Sequence, residues 1–153
     1  VPEVPSDLGL LIIVGGPQYR VGSHRQFVQL ARAAAAAGHA AIRFDVRGMG
    51  DADGAQRTFE DIGDDLAAAI DALQRTAPAV KRVVMWGLCG GATAALLYHL
   101  ARPDPRVAGL ALVNPWVRTE GTQAITRVKH YYLQRLMEKA FWQKLLKGAV
   151  GPG

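Results

Sequence analysis

The fold is decided by one stretch of the sequence, Val83-Val84-Met85-Trp86-Gly87-Leu88-Cys89-Gly90-Gly91. An apolar run ends at a glycine, a leucine and the only cysteine of the chain follow, and two further glycines open a long alanine-rich pattern. This order predicts a strand, a sharp turn and a helix. Its spacing matches G-x-S-x-G with cysteine in the place of serine, a turn that lifts a nucleophilic side chain above the edge of a sheet.

Cys89 is therefore predicted to act as a nucleophile. A free thiol is mostly protonated at neutral pH, so catalysis needs both the positive end of the following helix and a histidine base. The other interpretation is a small buried cysteine that fills space behind a tight turn. We favour the nucleophile because the strand, the G-x-C-x-G spacing and the helical pattern occur in succession.

Three other apolar runs are typical of strands. The first is continuous and ends in glycines, which suits a strand buried on both faces of a parallel sheet. The four predicted strands are Leu8–Val14, Ala40–Phe44, Arg82–Trp86 and Val107–Val113. Helical patterns separate them, and this alternation favours a parallel sheet with right-handed crossovers. We expect a three-layer α/β/α fold, truncated at both ends, with the strands in the spatial order second, first, third, fourth.

Capping boxes predict where the first two helices begin. Ser23 is followed three residues later by Gln26, and Thr58 is followed in the same way by Asp61. The apolar face of the second helix is predicted to comprise Phe59, Ile62, Leu66, Ile70 and Leu73. The third helix is predicted from Gly90 to Arg102.

A glycine-rich loop, Gly15-Gly16-Pro17-Gln18, follows the first strand. An acyl-transfer enzyme of this architecture has the second peptide donor of its oxyanion hole here, the first being the residue after the nucleophile. Pro17 has no N–H, which leaves Gly16 or Gln18. We expect the two donors to be Gly90 and Gly16. The other interpretation is a turn that only redirects the chain.

A second glycine-rich loop, Asp45–Gly54, follows the second strand. Its glycine spacing is wrong for a dinucleotide-binding loop, and no helix opens directly after it. We expect a structural loop in which Asp45 and Arg47 form ion pairs or hydrogen bonds with the backbone. The loops should converge at the carboxyl ends of the strands, where Gln18 and Trp116 are expected to contact substrate.

Together these motifs resemble the α/β-hydrolase superfamily. The resemblance rests on the nucleophile elbow (hereafter the elbow), Gly87-Leu88-Cys89-Gly90-Gly91, on Gly15-Gly16-Pro17 after a strand, and on the D-x-R-G-x-G run from Asp45 to Gly50. Longer strings are similar to one subgroup, the exosortase A system-associated hydrolases of type 1: Gly15–Arg25, Trp86–Cys89, Asn114–Arg118 and Lys129–Leu133. This resemblance implies a bacterium that makes exopolysaccharide and sorts proteins by a C-terminal signal. One departure is Ala52, where the superfamily usually has serine.

The superfamily also implies a chain order of nucleophile, acid and histidine, with the last two on loops after later strands. Those strands are absent from the sequence, so we expect the acid and the base downstream of these residues. The histidines present are interpreted as surface or core-edge residues, because none lies where the family's base is found. They are His24, His39, His99 and His130.

The charge of the chain is unevenly distributed. Residues 1–117 contain eleven Lys/Arg and eleven Asp/Glu, whereas residues 118–153 contain seven Lys/Arg and two Glu and carry the whole net charge of +5. We expect 1–117 to be an α/β-hydrolase core fragment and 118–153 to begin a helical cap or lid. We interpret the basic segment as a solvated amphipathic helix whose acidic partners lie further along the chain. The alternative is a cap that attracts an anionic substrate or makes a weak contact with a membrane surface. The segment contains no recognised nucleic-acid-binding module, and no apolar run is long enough for a membrane span.

The leading hypothesis is hydrolysis or transfer of a small-molecule ester or thioester through an acyl-Cys89 intermediate, without a cofactor or a metal. The main alternative is a non-catalytic binding or scaffold protein that keeps the fold, because the acid and the base are missing. A redox-sensing cysteine is a third hypothesis. A single cysteine and the lack of an apolar leader favour the cytoplasm. The oligomeric state stays open.

Overall fold

Four parallel strands form the sheet of the computed structural model, which describes residues 1–116. The strands are β1 (Leu8–Ile13), β2 (Ala41–Arg43), β3 (Arg82–Leu88) and β4 (Val107–Val113). Their order across the sheet is β2-β1-β3-β4, as predicted. The register pairs Ile13 with Gly87 and Leu88 with Val113, so the carboxyl ends of β1, β3 and β4 meet at one edge. The predicted lid, residues 118–153, lies outside the described residues.

Three helices cover the two faces of this sheet. They are α1 (Gln26–Ala36), α2 (Gly63–Thr76) and α3 (Gly90–Ala101), and a 3-10 turn at Ser23–Arg25 precedes α1. Alternate side chains of a strand point to opposite faces. Leu11 and Ile13 accordingly pack with α2 and α3, whereas Ile12 packs with Phe27 of α1. The predicted three-layer α/β/α arrangement is confirmed. Within residues 1–116, no helix combines the length and the apolar character that crossing a bilayer requires.

β3, which leads into the elbow, is anchored on both faces. Val83 and Met85 are fully buried in the same cluster as the inner side chains of α2 and α3. On the other face, Trp86 packs edge-on against Phe27, with 5.8 Å between the ring centroids. Burying an apolar side chain of this size stabilises the fold by about 2 kcal/mol. Packing on both faces therefore holds β3 in place up to the turn at Cys89.

The capping box predicted for α1 is wrong. Ser23 lies inside the 3-10 turn, and α1 begins at Gln26 without a side-chain cap. His24 (φ 50°) and Arg25 (φ 62°) both have left-handed backbone, which costs about 1 kcal/mol or more for each residue with a side chain. The Gln26 N–H donates to the Ser23 carbonyl. The backbone of the turn thus provides the bond that the serine hydroxyl was expected to supply.

The capping box predicted for α2 is wrong as well. α2 begins at Gly63, and its N-cap residue is Ile62. The Asp61 N–H donates to the Thr58 carbonyl over 3.0 Å, so these residues form a separate turn ahead of the helix. Phe59 lies in this turn and does not belong to α2, because its ring packs beside the elbow.

An ion-pair network lies at the end of the sheet opposite to the elbow, where β4 begins. The Asp104 side chain is only 6% exposed and accepts hydrogen bonds from the Arg106 guanidinium and from the Tyr98 hydroxyl, each over 2.7 Å. Arg106 also pairs with Asp71. The hydrogen bonds from Arg106 hold the pKa of the Asp104 carboxyl well below its ordinary value of 3.8. The network ties α2, α3 and β4 to one another.

We expect Asp104→Asn to lower the free energy of unfolding by about 2 kcal/mol at neutral pH, because the substitution removes the charged acceptor of several hydrogen bonds. The folded-state pKa of Asp104 is depressed, so its contribution is complete well above 3.8 and is lost progressively as the pH falls below that value. The gap between wild type and variant should therefore narrow in acid. Urea unfolding at about pH 7 and about pH 3 measures both effects.

Asp7→Asn is the matched control. Its ion pair with Arg82 is more than half exposed on both sides, so it contributes little to stability. Equal losses of stability in the two variants would contradict a structural role for the buried network.

Candidate active site

The elbow lies at the carboxyl end of β3. Cys89 has φ 50° and ψ −116°, a backbone conformation that costs on the order of 1–3 kcal/mol for a residue with a side chain, and it directly precedes α3 as its N-cap residue. The Cys89 N–H donates to the Val113 carbonyl over 2.9 Å. The Cys89 carbonyl accepts the N–H groups of Ala92 and Thr93 over 3.1 and 3.2 Å. These bonds hold the strained backbone from β4 on one side and from α3 on the other.

Two glycines allow the end of β1 to approach the elbow at backbone distance. A side chain on Gly91 would begin 3.0 Å from the carbonyl carbon of Ile13 and 3.1 Å from that of Val14. A side chain on Gly15 would begin 2.8 Å from the Gly91 nitrogen and 3.0 Å from the Gly90 nitrogen. Because neither position has room for a β-carbon, only glycine permits this contact.

The peptide group of Gly16 lies at the same contact. Its nitrogen is 3.6 Å from the point where a Gly90 side chain would begin. Gly16 has φ 68°, and its carbonyl accepts the Gln18 N–H over 2.8 Å. The Gln18 N–H is thus already used, whereas no acceptor in residues 1–116 takes the N–H of Gly16 or of Gly90. Two neighbouring peptide N–H groups next to the elbow thus have no acceptor among the described residues, which is a requirement for an oxyanion hole.

The loop after β4 brings Asn114 to the thiol. Asn114 has left-handed backbone (φ 48°), and its Nδ2 donates a hydrogen bond to Sγ of Cys89 over 3.8 Å. The Thr93 hydroxyl donates to the Trp116 carbonyl over 2.7 Å, which fixes this loop to α3. Neither Asn114 nor Thr93 was predicted as a site residue. The available signal for Asn114 was a polar residue directly after the strand that neighbours the elbow in the predicted sheet.

An aromatic pair, Phe59 and Trp116, stands beside the elbow. The ring centroids are 6.0 Å apart with an interplanar angle of 45°, and the Phe59 ring lies 3.4 Å from the point where a Gly90 side chain would begin. Trp116, which was predicted to contact substrate, is 49% exposed. Gln18 is exposed and borders a shallow pocket of about 480 Å³ whose other lining residues are Tyr19, Val21, Gly22 and Ser23, so no residue of the elbow lines this pocket.

No histidine in residues 1–116 hydrogen-bonds to Cys89, whose thiol there accepts a hydrogen bond from Asn114. His39 lies at the opposite end of β1, where its Nδ1 is 2.8 Å from the Ser6 hydroxyl and 3.1 Å from the Leu8 carbonyl oxygen. The remaining histidines are His24 and His99, which are both exposed, and His130, which is outside the described residues. His24, His39 and His99 therefore occupy structural or surface positions, as the sequence indicated.

The loop after β2 has a structural role, as predicted. Asp45 pairs with Arg20 from the loop after β1, and Arg47 pairs with Asp65 of α2 over 2.6 Å. Across residues 1–116, no three His, Cys, Asp or Glu side chains come together in a way that could hold a metal ion.

The sheet, its crossovers and the elbow define a class of protein, the α/β hydrolases. Within this class, residues 10–150 match the family described as serine aminopeptidase, S33, and the chain belongs to that family of hydrolases. The family's description names serine, whereas the elbow of this chain has Cys89 at its centre. No curated protein matches the chain.

Several solved hydrolase structures share the fold. The esterase Pf2001 of Pyrococcus furiosus is 20% identical with a TM-score of 0.67, over 95% of this chain and 55% of the esterase. A putative hydrolase from Agrobacterium vitis S4 is 20% identical with a TM-score of 0.61, over 80% and 52%. Alpha/beta hydrolase domain-containing protein 10 from mouse is 28% identical with a TM-score of 0.54, over 67% and 38%. The chain thus spans about half the length of the structures it matches, or less.

We expect Gly91→Ala to lower the free energy of unfolding by about 2–3 kcal/mol, because the added methyl group would press against the backbone of Ile13 and Val14. Gly109→Ala in β4 is the matched control, since a side chain there meets nothing within 4 Å among the described residues. Urea unfolding of both variants measures the difference. Wild-type stability in Gly91→Ala would show that β1 does not press on the elbow.

Proposed function

We propose that this chain supplies the nucleophile and the oxyanion hole of an enzyme that hydrolyses or transfers the acyl group of a small-molecule ester or thioester. The observation that carries the proposal is the strained Cys89 at the N-terminus of α3, with the open N–H groups of Gly16 and Gly90 beside it. Membership of a hydrolase family and a fold shared with an esterase support it.

The proposed reaction begins at the Cys89 thiolate. Its Sγ attacks the carbonyl carbon of the substrate, a C–S bond forms, and the π electrons of the carbonyl move onto oxygen. The N–H groups of Gly16 and Gly90 would bind this oxyanion, and losing one such donor typically costs about 10²-fold in rate. Collapse of the intermediate breaks the bond from the carbonyl carbon to the leaving group, which departs as an alkoxide or thiolate, takes up the proton that the base removed from Cys89, and leaves acyl-Cys89. Water or another acceptor then removes the acyl group and restores the thiol.

The base that accepts the thiol proton is proposed to lie outside residues 1–116. His39 is at the end of β1 remote from Cys89, and no His side chain of the described residues hydrogen-bonds to Cys89. In this superfamily the acid and the histidine follow the nucleophile in the chain. We therefore propose a downstream His–Asp pair and a lid that begins in residues 118–153.

Asn114 is proposed to orient the thiol. Its amide donor lies 3.8 Å from Sγ, and an amide donor favours negative charge on sulfur. Asparagine tolerates the left-handed backbone of this position better than most residues. The residue therefore combines the required backbone with a donor that faces the nucleophile.

The biological setting is a finer proposal. The strings shared with the exosortase A system-associated hydrolases include Asn114–Arg118, which contains Asn114 and Trp116 of the site. We propose on this basis that the protein serves a bacterial exopolysaccharide or protein-sorting system in the cytoplasm. The basic segment, residues 118–153, would then allow weak contact with a membrane surface.

A non-catalytic binding or scaffold protein is the second candidate. It is favoured by one observation, that no histidine or carboxylate of residues 1–116 hydrogen-bonds to the Cys89 thiol. The two functions differ in what the thiol does. A scaffold would leave Cys89 no more reactive toward esters than a small free thiol.

In the full-length protein, Cys89→Ala is expected to abolish turnover of p-nitrophenyl acetate, because it removes the sulfur that forms the proposed acyl intermediate. In wild type, mass spectrometry should find one acetyl group per chain, on Cys89. His99→Ala is the matched control and should keep wild-type turnover, since His99 is exposed and lies on α3 well past the elbow. Undiminished turnover in Cys89→Ala would rule out the proposed mechanism.

Asn114→Gly is expected to slow acetylation of Cys89 about fivefold, because it keeps the left-handed backbone and removes one hydrogen bond worth about 1 kcal/mol. Asn114→Asp should slow it further, since a carboxylate repels the thiolate. Stopped-flow release of p-nitrophenolate measures both rates, and thermal unfolding checks that both variants are folded. The proposed role of Asn114 is wrong if the three proteins react at the same rate.

A further inference from the structure

We infer that Asp45 is a positioning residue that holds the loop after β1 so that the Gly16 N–H stays beside the elbow. The inference rests on the proposed function, because it concerns the placement of one oxyanion donor. Asp45 contacts neither Cys89 nor Gly16 and acts through the backbone and side chain of Arg20, four residues after Gly16.

The Asp45 carboxylate binds Arg20 of the loop after β1 at two points. Its Oδ1 accepts the backbone N–H of Arg20 over 2.7 Å, and its Oδ2 pairs with the guanidinium of the same residue. The Asp45 side chain is only 2% exposed. The buried carboxylate cannot exchange these bonds for water, whereas the Arg20 side chain is 34% exposed and also pairs with Asp51. Asp45 is therefore bound to Arg20 through both of its oxygens.

Asp51 also binds the loop after β1. It accepts the Tyr19 hydroxyl over 2.6 Å and the Arg20 guanidinium over 2.8 Å, while its own N–H donates to Asp45 over 3.2 Å. The hydrogen bonds from Tyr19 and Arg20 lower the pKa of the Asp51 carboxyl. On the opposite side, Arg43 of β2 donates to the Arg20 carbonyl over 2.9 Å. Both flanks of the loop's second half are thus fixed to β2 and the loop that follows it.

Gly16 itself needs such an anchor. It is exposed, has φ 68°, and a side chain there would meet nothing within 4 Å among the described residues, so packing does not hold it. Glycine is also the residue with the greatest backbone freedom. A displacement of about 1 Å at a catalytic group can cost about 10²-fold in rate. The position of the Gly16 N–H must therefore be imposed by its neighbours, namely the contact of Gly15 with the elbow on one side and Arg20 on the other.

The same geometry accounts for the D-x-R-G-x-G run. A side chain on Gly50 (φ 56°) would collide with the Asp45 carboxylate. Arg47 meanwhile pairs with Asp65 and fixes the loop to α2. The run therefore works as one unit, in which Gly50 leaves space for Asp45 and Asp45 holds the loop of the oxyanion donor.

Two reagents that react with the Cys89 thiol distinguish an effect on the oxyanion donors from an effect on the reactivity of the sulfur. The measurement is the rate of each reaction. p-Nitrophenyl acetate is attacked at a carbonyl: a C–S bond forms, p-nitrophenolate leaves, and an oxyanion exists on the way. Iodoacetamide is attacked at a saturated carbon: a C–S bond forms, iodide leaves, and no oxyanion arises. In Asp45→Asn we expect acetylation of Cys89 to slow by about tenfold or more, while alkylation changes less than about twofold.

Asp104→Asn is the matched control, because it weakens a similarly buried ion pair at the far end of the sheet and should leave the ratio of the two rates unchanged. If Asp45→Asn does not fold, the same two rates are measured in Asp51→Ala instead. Asp51 is exposed, and its loss should slow acetylation about threefold with no change in alkylation.

Unchanged acetylation in Asp45→Asn, or in Asp51→Ala where that variant is used, overturns the positioning role and leaves the proposed function intact. Equal slowing of both reactions also overturns it, because the elbow itself would then be disturbed. If wild type shows the same ratio of acetylation to alkylation as N-acetylcysteine, the proposed function fails, and the positioning role fails with it.

Discussion

The end of β1 and the elbow touch backbone to backbone, and the rest of the site depends on this contact. Gly15 and Gly91 leave no room for a β-carbon between the two segments. The close approach brings the peptide of Gly16 next to Gly90, where both N–H groups lie near the strained Cys89. In the proposed mechanism these two N–H groups are the oxyanion donors, and because they belong to the main chain they would be oriented before substrate binds.

Ion pairs at the two ends of the sheet have different tasks. At the amino end of β4, Asp104 and Arg106 join strands to helices and contribute to stability. At the carboxyl end, Asp45 and Arg20 join two loops, and the proposed effect is on the placement of a donor. Because the two ion pairs lie at opposite ends of the sheet, substitutions in the loops at the carboxyl end can change the geometry of the site without weakening the Asp104–Arg106 network. This separation suits a family that uses one fold for many substrates.

The strands, their order and the elbow could be predicted from the sequence, because continuous apolar runs and the glycine spacing are local signals. The start of α2 could not, since Phe59 has the right helical spacing but packs against Gly90 and Trp116 instead. The contact of Asn114 with Cys89 joins residues 25 positions apart and depends on the register of β3 and β4. Such contacts require the folded topology, whereas the glycine spacing is visible in a short window.

A crystal structure of the chain with Cys89 acetylated tests the central claim most directly. We predict that the acyl carbonyl oxygen lies about 2.7–3.1 Å from the peptide nitrogens of both Gly16 and Gly90. An acyl oxygen that faces solvent, or that reaches Gly90 alone while the loop of Gly16 has moved away, would contradict it.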